Sequence, residues 1–366
     1  MKFSILQQDL WPALQAVARS CGVRSQLPVL GNILLQAEGG RLKLSATNLE
    51  IGVVKSLAVE IEEEGEVTVP SKTLVEMVGN LPAQTLVFEA SSDQLKISTP
   101  AFTSQINGIP ATEFPTIPLA GKEVISIDPQ ILLKALPQVT FAAAVDEGRP
   151  VLTGILLEIK EKKLQLVATD GYRLAHKMVN SQQEGGFRVL IPRRTLEEVM
   201  RLISEGETDR VQIAVSEDKN QIIFKFGSTQ LSSRLIEGQF PAWEKIIPTQ
   251  IKARVVLERG EVLKAVKLAS VFAKSEANVV KLQNLPSKLI LTSEAKELGS
   301  QKNEVEVQSE GEELQIAFNS KFLQDALSAF NSSQAILELS GNLSAAVLKP
   351  LGEEGLQYII MPVNLS

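Results

Sequence analysis

The chain has 366 residues, 44% of them hydrophobic and 22% charged, with a net charge of −6. That length fits two or three domains, each with enough apolar residues for a core of its own. The single cysteine, Cys21, excludes an intrachain disulfide framework and fits a reducing cytoplasm; the apolar runs are strand-sized or amphipathic, too short for a membrane span, and the first residues lack a secretory h-region.

In chain order, the spacing predicts a strand over 2–5 and a helix over 8–21, with Pro12 tolerated in an early turn. Strands over 33–38 and 42–47 flank Gly39-Gly40, a two-residue hairpin signal. The acidic run Glu62-Glu63-Glu64-Gly65 reads as a solvated tip. A strand ending at Pro70 then runs into a helix over 71–81, and strands over 85–90 and 95–98 follow. The proline-bearing segment Phe114-Pro115-Thr116-Ile117-Pro118 reads as an extended linker.

The same order then repeats. A strand over 124–127 leads into a helix over 129–144, which Pro137 is expected to kink or shorten. Strands over 154–160 and 164–169, the tip Gln183-Glu184-Gly185-Gly186, a helix over 193–203 and strands over 211–215 and 221–226 follow. A second linker spans Phe240-Pro241-Ala242-Trp243-Glu244-Lys245-Ile246-Ile247-Pro248. The third round has a strand over 254–257, a helix over 259–274, a strand over 288–293, the tip Ser309–Glu313, a helix over 320–330 and a strand over 335–339.

A constant shift of 122 residues places Leu10 on Leu132, Leu14 on Leu136, Val17 on Val139, Ala46-Thr47 on Ala168-Thr169 and Pro70 on Pro192. A period of that size means tandem domains, not a solenoid. The expected boundaries are 1–120, 121–248 and 249–366. Each unit is an α+β module of two helices and about eight strands, with the helices on one side of the sheets. The six predicted helices together carry +5, which leaves −11 on the strands and loops. That segregation is either chance, since 259–274 supplies +3 of it, or the mark of one cationic face.

Catalytic constellations are missing. His176 stands alone, Cys21 has no nearby histidine, and neither metal-ligand spacing nor a phosphate-binding glycine loop occurs. No metal or cofactor is expected. Two segments stand out instead. Ala168-Thr169-Asp170-Gly171-Tyr172-Arg173-Leu174 is either a tight turn or a peptide-binding hot spot that presents Tyr172, Arg173 and Leu174 on the surface. Ile359-Ile360-Met361-Pro362-Val363 is either an edge strand or an adaptable groove lining.

Met1-Lys2-Phe3, the run from Arg24 to Asn32, the box from Ala168 to Leu174, Phe240-Pro241 and the ending from Tyr358 to Leu365 together resemble the bacterial sliding clamp family, the beta subunit of DNA polymerase III. The resemblance covers essentially the whole chain. It implies a head-to-tail homodimer in which six domains close a ring around double-stranded DNA, with helices inside and sheets on the rim. It also implies a role in replication, tethering the polymerase III alpha subunit, the clamp loader, other polymerases and repair proteins through a short peptide. Arg24 matches a family position that reaches DNA. Asp146-Glu147-Gly148-Arg149 matches a loop bordering the hole, although Asp146, Pro150 and Val151 replace the polar and aromatic residues often found there. Lys134, Arg193, Arg194, Arg201, Lys264 and Lys267 are further DNA-facing candidates by charge and placement.

The family's peptide cleft would be lined here by Leu152, Thr169, Gly171, Tyr172, Arg173, Leu174, Pro241, Ile246, Phe322, Ile359, Met361, Pro362 and Val363. Phe322 stands where a tyrosine is common, Asn364 where a basic residue is common, and Ser366 adds a residue. Ile106 and Phe272 match apolar positions of the ring seam; the alternative reading of both is ordinary core. The competing readings are a non-encircling three-domain peptide adaptor and an enzyme acting around Asp170 and His176.

Overall fold

The computed structural model describes all residues except 23–25, 92, 120–121, 182–186, 207, 217, 219, 275–276 and 365–366, with the side chains of 122–124 and 187 also left aside. The tip predicted at 183–186 and Arg24 therefore lie outside the described residues. The chain divides into two compact units, one of residues 1–129 with 197–235 and one of 130–196 with 236–366.

The first unit contains a five-stranded antiparallel sheet in the order Glu60–Glu63, Lys2–Leu6, Thr85–Ser91, Gln94–Thr99, Phe102–Asn107. Alternate residues of its strands point inward, and the Phe3 and Phe88 rings stack at 4.8 Å. An eight-stranded sheet follows the order Lys122–Ile127, Val211–Val215, Gln221–Phe226, Thr229–Arg234, Ile51–Ala58, Arg41–Thr47, Asn32–Glu38, Gly65–Pro70. Thr229–Arg234 pairs with Ile51–Ala58 across almost two hundred residues of sequence, so one repeat completes the sheet of the one before it. Helix Gln7–Ala18 buries Leu10, Leu14 and Val17 against helix Ser71–Asn80 and strands Arg41–Thr47 and Ile51–Ala58. Each such side chain contributes about 2 kcal/mol of apolar burial.

In the second unit a twelve-stranded sheet runs Phe187–Pro192, Gly154–Lys160, Lys163–Thr169, Arg173–Asn180, Leu356–Ile360, Ala346–Pro350, Gln334–Leu339, Ala253–Glu258, Gly299–Gly311, Lys288–Ala295, Val279–Leu285, Gln315–Asn319. The join between repeats is again antiparallel, Arg173–Asn180 against Leu356–Ile360. Helix Arg259–Ala273 packs on helix Ser320–Ala329 and on strands Lys288–Ala295 and Gly299–Gly311. Asn319 caps the second of these helices by accepting from the Lys321 amide at 2.9 Å.

In each of the three repeats a strand enters a helix without a loop: Gly65–Pro70 into Ser71–Asn80, Phe187–Pro192 into Arg193–Glu205, Gln315–Asn319 into Ser320–Ala329. The helix predicted over 129–144 is two shorter ones, Pro129–Ala135 and Pro137–Thr140, because Pro137 offers no amide to the preceding turn.

The repeated hairpin tests the turn chemistry. Gly39 (φ 58°) and Gly40 (φ 73°) take the left-handed turn without strain. Their partners in the second copy, Glu161 (φ 50°) and Lys162 (φ 60°), hold the same conformation with side chains that disfavour it. Replacing them together, Glu161→Asn with Lys162→Gly, should stabilise the protein by about 1 kcal/mol. A urea titration that shows no rise in midpoint would refute this.

Candidate functional site: a turn, a buried arginine and an apolar floor

Thr169, Asp170 and Gly171 form a turn wired by side chains. The Asp170 Oδ1 atom accepts from the amides of Tyr172 (2.9 Å) and Arg173 (3.0 Å). Thr169 Oγ1 accepts from the Gly171 amide at 3.0 Å and donates to the Arg173 carbonyl at 2.6 Å. Gly171 has a φ of 93°, a left-handed conformation that glycine takes without strain. The first repeat builds the same turn from Thr47, Asn48 and Leu49, with Leu49 at φ 74°.

Only the second copy adds an arginine. The Arg173 side chain is 10% exposed and spans three elements. Its Nε donates to Asp170 Oδ2 (3.0 Å), its Nη1 to Asp325 Oδ2 (2.5 Å) and its Nη2 to the Phe141 carbonyl (2.9 Å). The guanidinium carbon lies 4.6 Å from the Phe322 ring centre and 5.3 Å from that of Phe141. Arg173 is thus a clamp on the turn and on helix Ser320–Ala329. This corrects the expected exposure of 172–174: Tyr172 is 63% exposed, but Leu174 is only 2% exposed. The strand is covered on both faces from Leu174 through Lys177, and Leu174 pairs with Ile359.

Leu174 and Ile359 belong to an apolar cluster with Leu156, Val167, Leu190, Phe240, Trp243 and Val347, edged by Val151, Ile236, Ile247 and Ala345. The chain ending continues the antiparallel pairing of the two strands, since the Met361 amide donates to the Tyr172 carbonyl at 2.9 Å. The Val363 amide donates to the Ala317 carbonyl at 2.8 Å. Tyr172 and Met361 are exposed side by side in the chain path; Ile246 is also exposed, in the turn Trp243–Ile246. Leu152 and Thr169 are buried, and Pro241, Phe322, Pro362 and Val363 are half-buried. Sequence reasoning missed Phe141, Asp325, Val347 and Leu156. Phe141 and Asp325 reach Arg173 only through tertiary packing, and no local pattern announces that.

His176 lies on the same strand, its ring tilted against that of Trp243 at 4.5 Å between centres. Its nitrogens meet Gln165 Oε1 and the Gln357 side-chain amide, each at 3.1 Å. Desolvation lowers its pKa to about 4, so the ring is neutral and structural at neutral pH.

The cationic candidates separate by what they touch. Lys134, Arg194 and Lys267 are exposed, and Arg193 is half-buried at the start of its helix. Lys264 is exposed and pairs with Glu261 at 3.0 Å. Arg149 is exposed, but its Nη2 donates to the Asp170 carbonyl at 2.9 Å and so braces the turn. Arg201 departs from expectation. It is paired with Glu198 and Glu205 and donates to the Ala16 carbonyl at 2.9 Å, so its charge is spent inside the protein. Among the described residues there is no His, Cys, Asp and Glu group able to hold a metal ion, and no helix long and apolar enough to cross a membrane.

Models of the N-terminal, central and C-terminal domains of the DNA polymerase III beta subunit match residues 1–118, 126–242 and 244–364 in succession. The chain belongs to this family. It is 33% identical to the beta sliding clamp of Synechococcus elongatus over 376 aligned positions, with all of both chains covered. The beta sliding clamp of Pseudomonas putida is 30% identical over 371, again with full coverage of both. The crystal structure of the DNA polymerase III beta subunit from Pseudomonas aeruginosa superposes with a TM-score of 0.95 at 29% identity, covering 100% of each chain. The architecture is therefore three tandem clamp domains, and the function is that of a DNA sliding clamp, a processivity factor of replication.

Proposed function

We propose that two copies of this chain join head to tail into a closed ring around duplex DNA, acting without catalysis of their own in the cytoplasm. The observation that carries this reading is a pair of open strand edges. Phe102–Asn107 ends the five-stranded sheet, and residues 299–306 pair only with Lys288–Ala295 among the described residues. One edge lies in the first clamp domain and the other in the third, so a second copy can satisfy both. Exposed Leu268 and Val271 with half-buried Phe272 on helix Arg259–Ala273 supply apolar surface for the same seam. Ile106 contributes little new area, being 5% exposed in the single chain. The proposed domain limits are 1–120, 121–248 and 249–366.

Lys134, Arg193, Arg194, Lys264 and Lys267 provide the cationic surface for the phosphate backbone, with Arg24 as a further contact. The turn at 169–172 and the ending at 359–363 form the cleft for the peptide of the polymerase alpha subunit, the clamp loader and repair polymerases. Leu152, Pro241, Ile246 and Phe322 complete it. This is anchor-in-pocket recognition beside a rigid turn.

The test is retention on DNA. Loaded onto circular duplex, the protein should remain bound at 0.5 M salt and leave when the circle is cut. A simple electrostatic binder would be stripped from either form by salt. Salt-sensitive release from intact circles would favour the non-encircling adaptor.

A further inference from the structure

The two repeats that share the 122-residue register differ at one node of their sheets. In the second, His176 pairs with Val167 on one side and Gln357 on the other, and the ring of the linker residue Trp243 lies tilted against its own. In the first, Val54 pairs with Ser45 and Gln230 in the same register. Lys43 stands at the position of Gln165, and the linker brings Ile117 where the other brings Trp243. Ile117 seats over Gly52, its Cγ2 2.7 Å from where a Cβ would be. An imidazole and an indole are thus replaced by two aliphatic side chains, and a recess of about 710 Å³ is left there. Leu34, Val54, Phe114 and Ile117 give it apolar walls, and Lys43 and Gln230 give it polar ones. That size lies within the range of ordinary ligand sites.

We infer that this recess receives an aromatic side chain, tryptophan above all, presented by a peptide of a partner protein. The twin node shows what fills the space: an imidazole and an indole tilted against each other, the imidazole nitrogens held by side-chain amides. Gln230 keeps the place of Gln357 and can accept from an indole N–H, while the Lys43 ammonium can lie over the ring face. Among the described residues Lys43 has one ion pair, a 4.0 Å contact with exposed Glu38. A peptide is favoured as the source because the linker beside the recess has unused main-chain donors among the described residues. The amides of Thr116, Ile117 and Leu119 donate to no protein group among the described residues, and so offer main-chain hydrogen bonds to a second extended chain. The site is separate from the cleft at 169–172 and does not depend on it.

The experiment uses the full-length protein with labelled isoleucine and valine methyls, titrated with N-acetyl-tryptophanamide, N-acetyl-leucinamide and indole. Saturable shifts at Ile117 and Val54 with the tryptophan amide, at least tenfold weaker with the leucine amide, are expected. Ile117→Trp fills the recess from within and should abolish the Val54 response. Gln230→Leu, a milder change, should weaken it several-fold. Absence of saturable shifts, equal response to the leucine amide, or an unchanged Val54 response in both variants would overturn the site. Binding of indole but not of the tryptophan amide would overturn the peptide as its source.

Discussion

Arg173→Ala should cost about 3 kcal/mol of stability, the lower end of the range for removing one partner of a buried charge network. The substitution leaves the Asp170 and Asp325 carboxylates, 17% and 30% exposed, without their counter-ion. It also strips the Phe141 carbonyl of its donor and the Phe322 ring of its cation. The partial exposure of Asp325 lets water recover some of the loss, which is why the upper end of the range does not apply. Arg173→Lys should restore only part of it, because an ammonium cannot reach two carboxylates and a carbonyl with the geometry of a planar fork. Urea unfolding of the three proteins checks this. A midpoint for Arg173→Ala within error of the parent would show that the network is ornamental.

That network marks the limit of what the sequence discloses. Elements written as local pattern were legible: the helix at Ser71–Asn80, the break at Pro137, the hairpin at Gly39-Gly40 and the strand–helix junctions all follow from periodicity and from proline and glycine stereochemistry. The repeat itself exposed the tandem architecture. What stayed hidden depends on residues distant in sequence. Charge counting made Arg201 a DNA contact, but Glu198 and Glu205 lie one turn away on either side along its own helix and neutralise it. Placing Leu174 on the surface overlooked that Arg173–Asn180 lies between two neighbouring strands and buries Leu174 through Lys177 in succession. The partnership of Arg173 with Asp325 joins positions 152 residues apart, and no single-chain pattern specifies it.

The second large effect concerns binding, and it separates the exposed residues of the cleft from those that shape it. Tyr172→Ala should weaken a partner peptide roughly 30-fold, about 2 kcal/mol, the loss expected when an aromatic anchor at a hot spot is truncated. Stability should barely change, since the side chain is 63% exposed and only its backbone is tied to Asp170 and Met361. Met361→Ala with Pro362→Ala should weaken the peptide likewise by removing adaptable lining. Both variants should keep the parent's dimer, because neither Phe272 nor the edges at Phe102–Asn107 and 299–306 are touched. Arg173→Ala, by contrast, should lose peptide affinity and stability together, since it loosens the turn that presents Tyr172. Fluorescence anisotropy with a labelled clamp-binding peptide, alongside sedimentation of the same samples, distinguishes the cases. Unchanged affinity in both surface variants would mean that the peptide binds elsewhere, and that the exposed Tyr172 and Met361 are simply the solvated end of a sheet.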